Sequence, residues 1–412
     1  MTSRRAVVTG IGIVAPSGTS TEAHWKTVLS GESKIGPITA FDPEPYQTRL
    51  AGEVTGFDPA DHAEGRLIVQ TDRWTWLAFA AANAAFEDAA LDPASLDPYS
   101  ISVALASSSG GNQFGQGELQ RLWSRPDRTV SGYQSIAWFY AASVGQLSIK
   151  HQLKGPCNVL VAEAAGGLDS LAHAARSIDR GVSVVLAGGT EAPLSPYALA
   201  CQQRSGWLST TADPATAYRP FDAQASGFVP GEGGAVFVVE ELEHAVARGA
   251  VIHGEIAGWG ATHDGQPTRR GSSGSAKQYA RAMRLALDRA QLDPGEVSLI
   301  VPDALGVPEY DRAESSALRT VFGDRMPPVT TQKPLTGRLY QGGSALDVAT
   351  ALLALRHRTV PPNSGLTTPA PGCELNFAAE TPLAQAHAAL VTARGYDGFN
   401  SAVALRVYEE SK

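Results

Sequence analysis

The chain has 412 residues, enough for two to three domains of about 150 residues each or for one large duplicated unit. Its 33 Lys and Arg against 41 Asp and Glu give a net charge of −8, which offers no electrostatic footprint for nucleic acid or an anionic membrane surface. Charged residues at 18 % and hydrophobic ones at 43 %, with 42 Gly and 26 Pro, exclude a mainly disordered chain and describe a large core with many tight turns.

No apolar run approaches the roughly 20 residues of a membrane span, and the opening MTSRRAVVTG lacks the apolar stretch of a signal peptide. The expectation is a cytoplasmic protein. The first element, AVVTGIGIVAP from Ala6, is strand-like. Its Gly10-x-Gly12 does not complete a dinucleotide fingerprint, because the third glycine position is Ala15 beside Pro16. A tight turn is the expected role of the two glycines.

Further along, the chain repeats itself. Ala85–Pro93 reads AFEDAALDP and Ala286–Pro294 reads ALDRAQLDP, each closing a helix-like stretch and each followed by an apolar strand-like run, from Ile101 and from Val297. Ala165–Ala175 (AGGLDSLAHAA) matches Gly342–Leu355 (GGSALDVATALLAL), both opening a helix with a glycine pair. Ala235–Glu241 matches Ala402–Glu410, and the front strand pairs loosely with the segment from Val251. Four matches in one order imply a duplication with halves 1–249 and 250–412 and extra loops in the first. Strands alternating with helices, and runs such as Ser183–Gly189, predict mostly parallel sheets covered by helices: an α/β fold of five α/β/α/β/α layers.

Common catalytic signatures are absent: no G-x-S-x-G elbow, phosphate loop or H-E-x-x-H occurs. The nine histidines are scattered, His253 and His263 reading as ordinary strand and loop residues, and no metal site is expected. Cys157, Cys201 and Cys373 form no disulfide framework or ligand cluster. Glycine pairs at equivalent places in the two halves bring two helix N-termini towards one centre, where a nucleophile would be activated. Ala164 stands at that place, and alanine supplies neither nucleophile nor donor. Cys157 lies seven residues upstream, about 23 Å along an extended strand, and is expected to be a buried structural residue.

The segments VVTGIGIVAPSG, LAGGTEAPLSPYA, YRPFDAQASGFVPGEGGAVFVVEELEHA and GYDGFNSAVALR resemble the condensing enzymes of the thiolase superfamily. Across essentially the whole chain the resemblance is to chain length factors, the ketosynthase-like β subunits of aromatic type II polyketide synthases. It implies a thiolase-like fold and locates the Cys-His-His triad of active ketosynthases at three altered positions. The cysteine aligns with Ala164, the first histidine with Asp303 (anchored by Pro308 and Asp311), and the second with Arg338 (anchored by Lys333 and Gly337). All three catalytic residues are gone, and Lys333 without them reads as structural. Chain length factors usually carry glutamine where Ala164 stands, so the amide linked to priming decarboxylation is missing too.

The resemblance further implies a heterodimer with a catalytic ketosynthase (the α subunit), transient contact with acyl carrier protein, and a phosphopantetheine-bound polyketide as substrate, with no cofactor of the chain's own. Within Ser131–Gln146, the residues Tyr133, Gln134, Ile136, Trp138, Phe139 and Tyr140 are the expected interface. A buried core helix has the same composition. Ser107, Gly110, Gly111 and Phe114 are expected to line the end of an elongation tunnel, and the small residues imply a product of about ten or more ketide units. Acyl carrier protein is acidic, so the charge of −8 argues against this chain as its main docking face, although Arg269-Arg270 forms a local basic cluster. Three functions remain open: a non-catalytic subunit shaping the tunnel, a stand-alone malonyl decarboxylase, and a pure assembly subunit.

Overall fold

The computed structural model describes residues 4–266 and 273–409, so Arg269-Arg270 lies outside the described residues. Nine strands form the main sheet: β1 (Ala6–Val14), β2 (Ile101–Ala106), β3 (Cys157–Leu160), β4 (Val184–Glu191), β5 (Gly233–Glu241), β6 (Gly254–His263), β7 (Val297–Val301), β8 (Ala388–Gly395) and β9 (Phe399–Arg406). Their order is β3-β2-β4-β5-β1-β6-β9-β8-β7. Counted within each half, the first runs third, second, fourth, fifth, first. The second, read from its outer edge, runs second, third, fourth, first, with a parallel bridge between Ile300 and Val329 beyond that edge, where the first half has its third strand. The halves join through a short seam, Val7 opposite Glu255 and Val8 opposite Gly254.

The pairing is mixed rather than mostly parallel. Strands β2, β3 and β4 run parallel, as do β7 and β8, but β4, β5, β1, β6, β9 and β8 are successively antiparallel. The reason is visible at β8–β9, where the three-residue turn Tyr396–Gly398 is too short for the crossover that parallel pairing needs.

Alternation along the strands builds the layers. In β2, Ile101, Val103 and Leu105 face the outer helix α1 (Arg73–Asp88), whereas Ala104 faces inward. In β5, Val236 and Val238 point outward while Ala235, Phe237 and Val239 point inward. The inward residues of both halves pack on two helices, α5 (Gly166–Asp179) and α9 (Gln341–His357). α9 is buried on every side through Leu355, as its nearly uncharged sequence requires. Outer helices α6 (Ala276–Ala290) and α7 (Pro308–Phe322) cover the second half, completing five layers. Three helices lie between β2 and β3, α2 (Asn112–Ser124), α3 (Gln134–Ala137) and α4 (Ala142–Lys150), and the short α8 (Lys333–Thr336) precedes α9.

Gly10 and Gly12 are not a turn. They sit inside β1 under α1, where a Cβ would overlap the carbonyl oxygens of Ala85 and Ala81. Gly258 and Gly260 of β6 meet Ala286 and Ala282 of α6 in the same way, so the duplication reproduces a close strand–helix approach. Cys157 is likewise not buried: β3 is the edge strand with one neighbour, and its thiol is exposed beside the Ser148 hydroxyl at 3.0 Å. No helix among the described residues is long and apolar enough to cross a membrane.

Candidate functional site

The central helices bring their N-termini together. Gly167 lies against the Gln341 carbonyl and the Ser344 hydroxyl, and Gly342 against the Gly233 carbonyl, so neither glycine leaves room for a side chain. At the mouth of α5 the turn Glu163–Ala165 buries Ala164, and Glu163 adopts a left-handed φ of 49°. Asp303 follows β7, and Arg338 lies between α8 and α9. The structure brings the three together.

Arg338 Nη2 and Nη1 donate to Asp303 Oδ1 and Oδ2 at 3.2 and 3.3 Å, a bidentate pair with both residues 2 % exposed. Nη2 also donates to the Arg394 carbonyl at 2.9 Å and lies 4.0 Å from Glu163 Oε2, while the guanidinium stands 5.7 Å from the Phe228 ring centre. The Asp303 and Ala304 backbone N–H groups both donate to Glu314, at 2.8 and 2.9 Å. Burial pushes the Glu314 carboxyl up to about 7, with the Asp303 charge adding to the effect. Burial works against the charged guanidinium, but the combined pull of Asp303 and Glu163 outweighs it and raises the Arg338 pKa further. Lys333 is equally enclosed, salt-bridged to the buried Asp347 of α9 and donating to the Pro302 carbonyl at 3.2 Å.

Chemically this centre is closed. Arginine does not give up a proton in a protein, Asp303 is occupied on both oxygens, and Ala164 has nothing to attack with. Glu163 is the one carboxyl facing open space; burial raises its pKa, and Oε2 accepts from the Tyr396 backbone at 2.8 Å. Glu163 and Arg338 form part of the wall of a cavity of about 390 Å³, which the rings of Trp207, Phe228, Tyr310, Tyr340 and Tyr396 also line. No group of three or more His, Cys, Asp or Glu among the described residues is placed to hold a metal ion.

The segment Ser107–Phe114 runs from β2 into α2. Ser107 is fully buried with its hydroxyl unpartnered, and Phe114 is half-buried. Gly110, with φ 62°, and Gly111 press against the backbone carbonyls of Trp138 and Ala137. Their smallness therefore serves a close backbone contact with α3. Two buried carboxylates hold this segment and a third holds the loop leading to α3, and sequence reasoning missed all of them. Glu191, at the end of β4, accepts from the Ser108 and Ser109 N–H groups at 2.7 and 3.4 Å and from Gln341 Nε2 at 3.5 Å. Asp72 caps α1 and accepts from Phe114 N at 2.6 Å. Glu118 accepts from Ser131 N at 2.6 Å. The available signal was a lone carboxylate closing an apolar run, as in VVLAGGTE.

The Ser131–Gln146 region is not a buried core helix. Trp138 is 53 % exposed, and Tyr133, Phe139 and Tyr140 are exposed with it, while Gln134 and Ile136 are half-buried; Trp123 and Leu119 of α2 add to the apolar surface.

A duplicated five-layered body whose two central helices meet beside Ala164 is the scaffold on which these residues are set. Residues 3–245 match the β-ketoacyl synthase N-terminal domain and residues 253–367 its C-terminal domain, and the chain belongs to the β-ketoacyl synthase family. It is 49 % identical to the tetracenomycin polyketide synthase ketoacyl synthase beta subunit of Streptomyces glaucescens, over 97 % of this chain and 98 % of that one. It is 45 % identical to the actinorhodin polyketide putative beta-ketoacyl synthase 2 of Streptomyces coelicolor, over 97 % and 98 %. Among solved structures, the ishigamide ketosynthase/chain length factor superposes with a TM-score of 0.92 at 28 % identity, covering 99 % of this chain and 100 % of that one. A type II acyl-carrier protein complex with its ketosynthase bound to a hexaketide gives 0.88 at 25 % identity, covering 98 % and 100 %.

Proposed function

We propose that this chain is the non-catalytic, ketosynthase-like subunit of an aromatic polyketide synthase. It pairs with a catalytic ketosynthase and shapes the tunnel that sets polyketide chain length. The observation that carries this reading is the buried Asp303–Arg338 pair beside Ala164: an intact scaffold whose reactive positions are filled by groups that satisfy one another. The same observation disfavours a stand-alone malonyl decarboxylase, since Arg338 is engaged with Asp303 and the Ala164 side chain offers no donor to a developing enolate.

The exposed rings of Tyr133, Trp138, Phe139 and Tyr140, with Gln134 and Ile136, are the proposed partner surface, and such a dense aromatic patch is costly to leave in water. Ser107 and Phe114 form the proposed end of the tunnel, with Gly110 and Gly111 holding that wall against α3. The growing chain arrives on the phosphopantetheine arm of an acyl carrier protein, and the assembly works in the cytoplasm. The division into halves 1–249 and 250–412 is part of the same reading.

Co-expression with candidate ketosynthases tests it, with co-purification and product mass as readouts. The expected result is a stable heterodimer releasing one main chain length, and negligible acetyl product when this chain alone meets malonyl carrier protein. A stable homodimer that takes no partner would overturn the reading.

A further inference from the structure

We propose that the cavity over the Asp303–Arg338 pair is a binding site for a flat, fused-ring aromatic acid. Five of its fourteen lining residues carry aromatic rings. Trp207 sits 4.9 Å from Tyr310 and 5.5 Å from Tyr396, centre to centre, and Phe228 meets Tyr340 edge-on at 6.1 Å. Such walls favour a ligand that presents π faces and edges.

The charges set its polarity. Arg338 and Arg394 also line the cavity, but their guanidiniums are held by Asp303 and Asp264. Arg204 is exposed, lines the same cavity, and makes no ion pair among the described residues. Glu163 repels a second negative charge. The ligand is therefore anionic at one end, with that end at Arg204 and its rings among the tyrosines.

The volume sets its shape. About 390 Å³ suits two to four fused rings, and the wall formed by the bidentate ion pair gives a long flexible chain nowhere to thread. A compact aromatic acid is what cyclising and aromatising reactions make from a poly-β-ketone, so the site is placed to take a late product of the assembly. That identity rests on the polyketide reading; the binding chemistry does not.

Titration calorimetry of the heterodimer with anthraquinone-2-carboxylate tests the site, with the neutral 2-hydroxymethyl analogue and decanoate as controls. Arg204→Gln, an exposed change that leaves the core intact, should weaken the carboxylate about tenfold, the loss of one charge-assisted contact of about 1.4 kcal/mol. It should leave the neutral analogue unchanged. Trp207→Phe should weaken both. Equal carboxylate affinity in wild type and Arg204→Gln, or decanoate binding as tightly as the ring acid, would overturn the proposal. If no heterodimer forms, the polyketide reading fails by itself, and the same titration of the full chain alone still decides the pocket.

Discussion

The centre around Ala164 and the face around Trp138 sit at opposite extremes of exposure. At the centre, charged groups lie in the interior and nearly every one has a partner: Asp303 with Arg338, Lys333 with Asp347, Glu314 with two backbone N–H groups. On the face, large apolar rings lie in water without cover. Satisfied polar groups in a low dielectric hold shape and do little else, whereas uncovered aromatic area is free energy still to be gained by association. On the proposed reading, the centre keeps the structure and the face with its adjoining loop carries the function.

The sharpest way to break the contrast is at the centre. Arg338→Leu leaves Asp303 as a buried charge without its partner and should cost about 3–5 kcal/mol in urea unfolding. The double variant Asp303→Asn with Arg338→Leu should recover much of that loss; no recovery would show that Arg338 acts through something other than the pair.

At the face, Trp138→Ala should leave the unfolding midpoint of the chain within experimental scatter, because the ring is half in water. It should weaken the heterodimer by about 2 kcal/mol or more, roughly thirtyfold, read by analytical ultracentrifugation. An unfolding loss as large as the binding loss would return this residue to the core.

A smaller effect comes from His24, fully buried between Ser17 and Thr350 of α9 at 2.7 and 2.9 Å, where burial lowers its pKa to about 3. The unfolded chain takes up a proton near pH 6.5 that the folded chain refuses, so stability falls as pH drops below 6.5 and continues to fall towards 3. Between pH 6.5 and 5 this amounts to about 2 kcal/mol. His24→Gln should be less stable than wild type at pH 7 yet lose less on acidification; parallel curves would count against this role.

The smallest predicted change links the two regions. Glu191→Gln keeps one oxygen for the Ser108 and Ser109 N–H groups, which share Oε1, but removes the charge and puts an NH2 group where Oε2 accepts from the Ser109 hydroxyl, so the 107–111 wall loosens. Product lengths from the reconstituted pair should broaden by one ketide unit while co-purification persists. A single unchanged product would show that the wall does not depend on this carboxylate.

Much of the fold was legible because burial writes itself as pattern. The Leu-Asp-Pro repeat marked the ends of α1 and α6, and the glycine pairs marked two helices that do meet. Legibility failed where meaning depends on a distant neighbour. Gly10 and Gly12 look like a turn until α1 is placed over them, and Gly110 and Gly111 look like free volume until α3 closes against them. Cys157 opens an apolar run but lies on an edge, which strand order alone decides. Motifs singled out Ala164, Asp303 and Arg338, which the fold brings together, whereas the pairing of Asp303 with Arg338 joins residues 35 positions apart and needed geometry. Asp72 and Glu118 were missed because a buried carboxylate reads in sequence like any other acid, and Glu191 although it closes the apolar run VVLAGGTE.

The central claim, that this chain sets product length without performing chemistry, is tested most directly at Phe114. The measurement is the mass of the polyketide released by a fixed ketosynthase partner paired with wild type or Phe114→Ala. Opening space at the proposed tunnel end should lengthen the product by at least one two-carbon unit with turnover kept within a few fold. An identical product mass from an intact, active heterodimer would contradict the account.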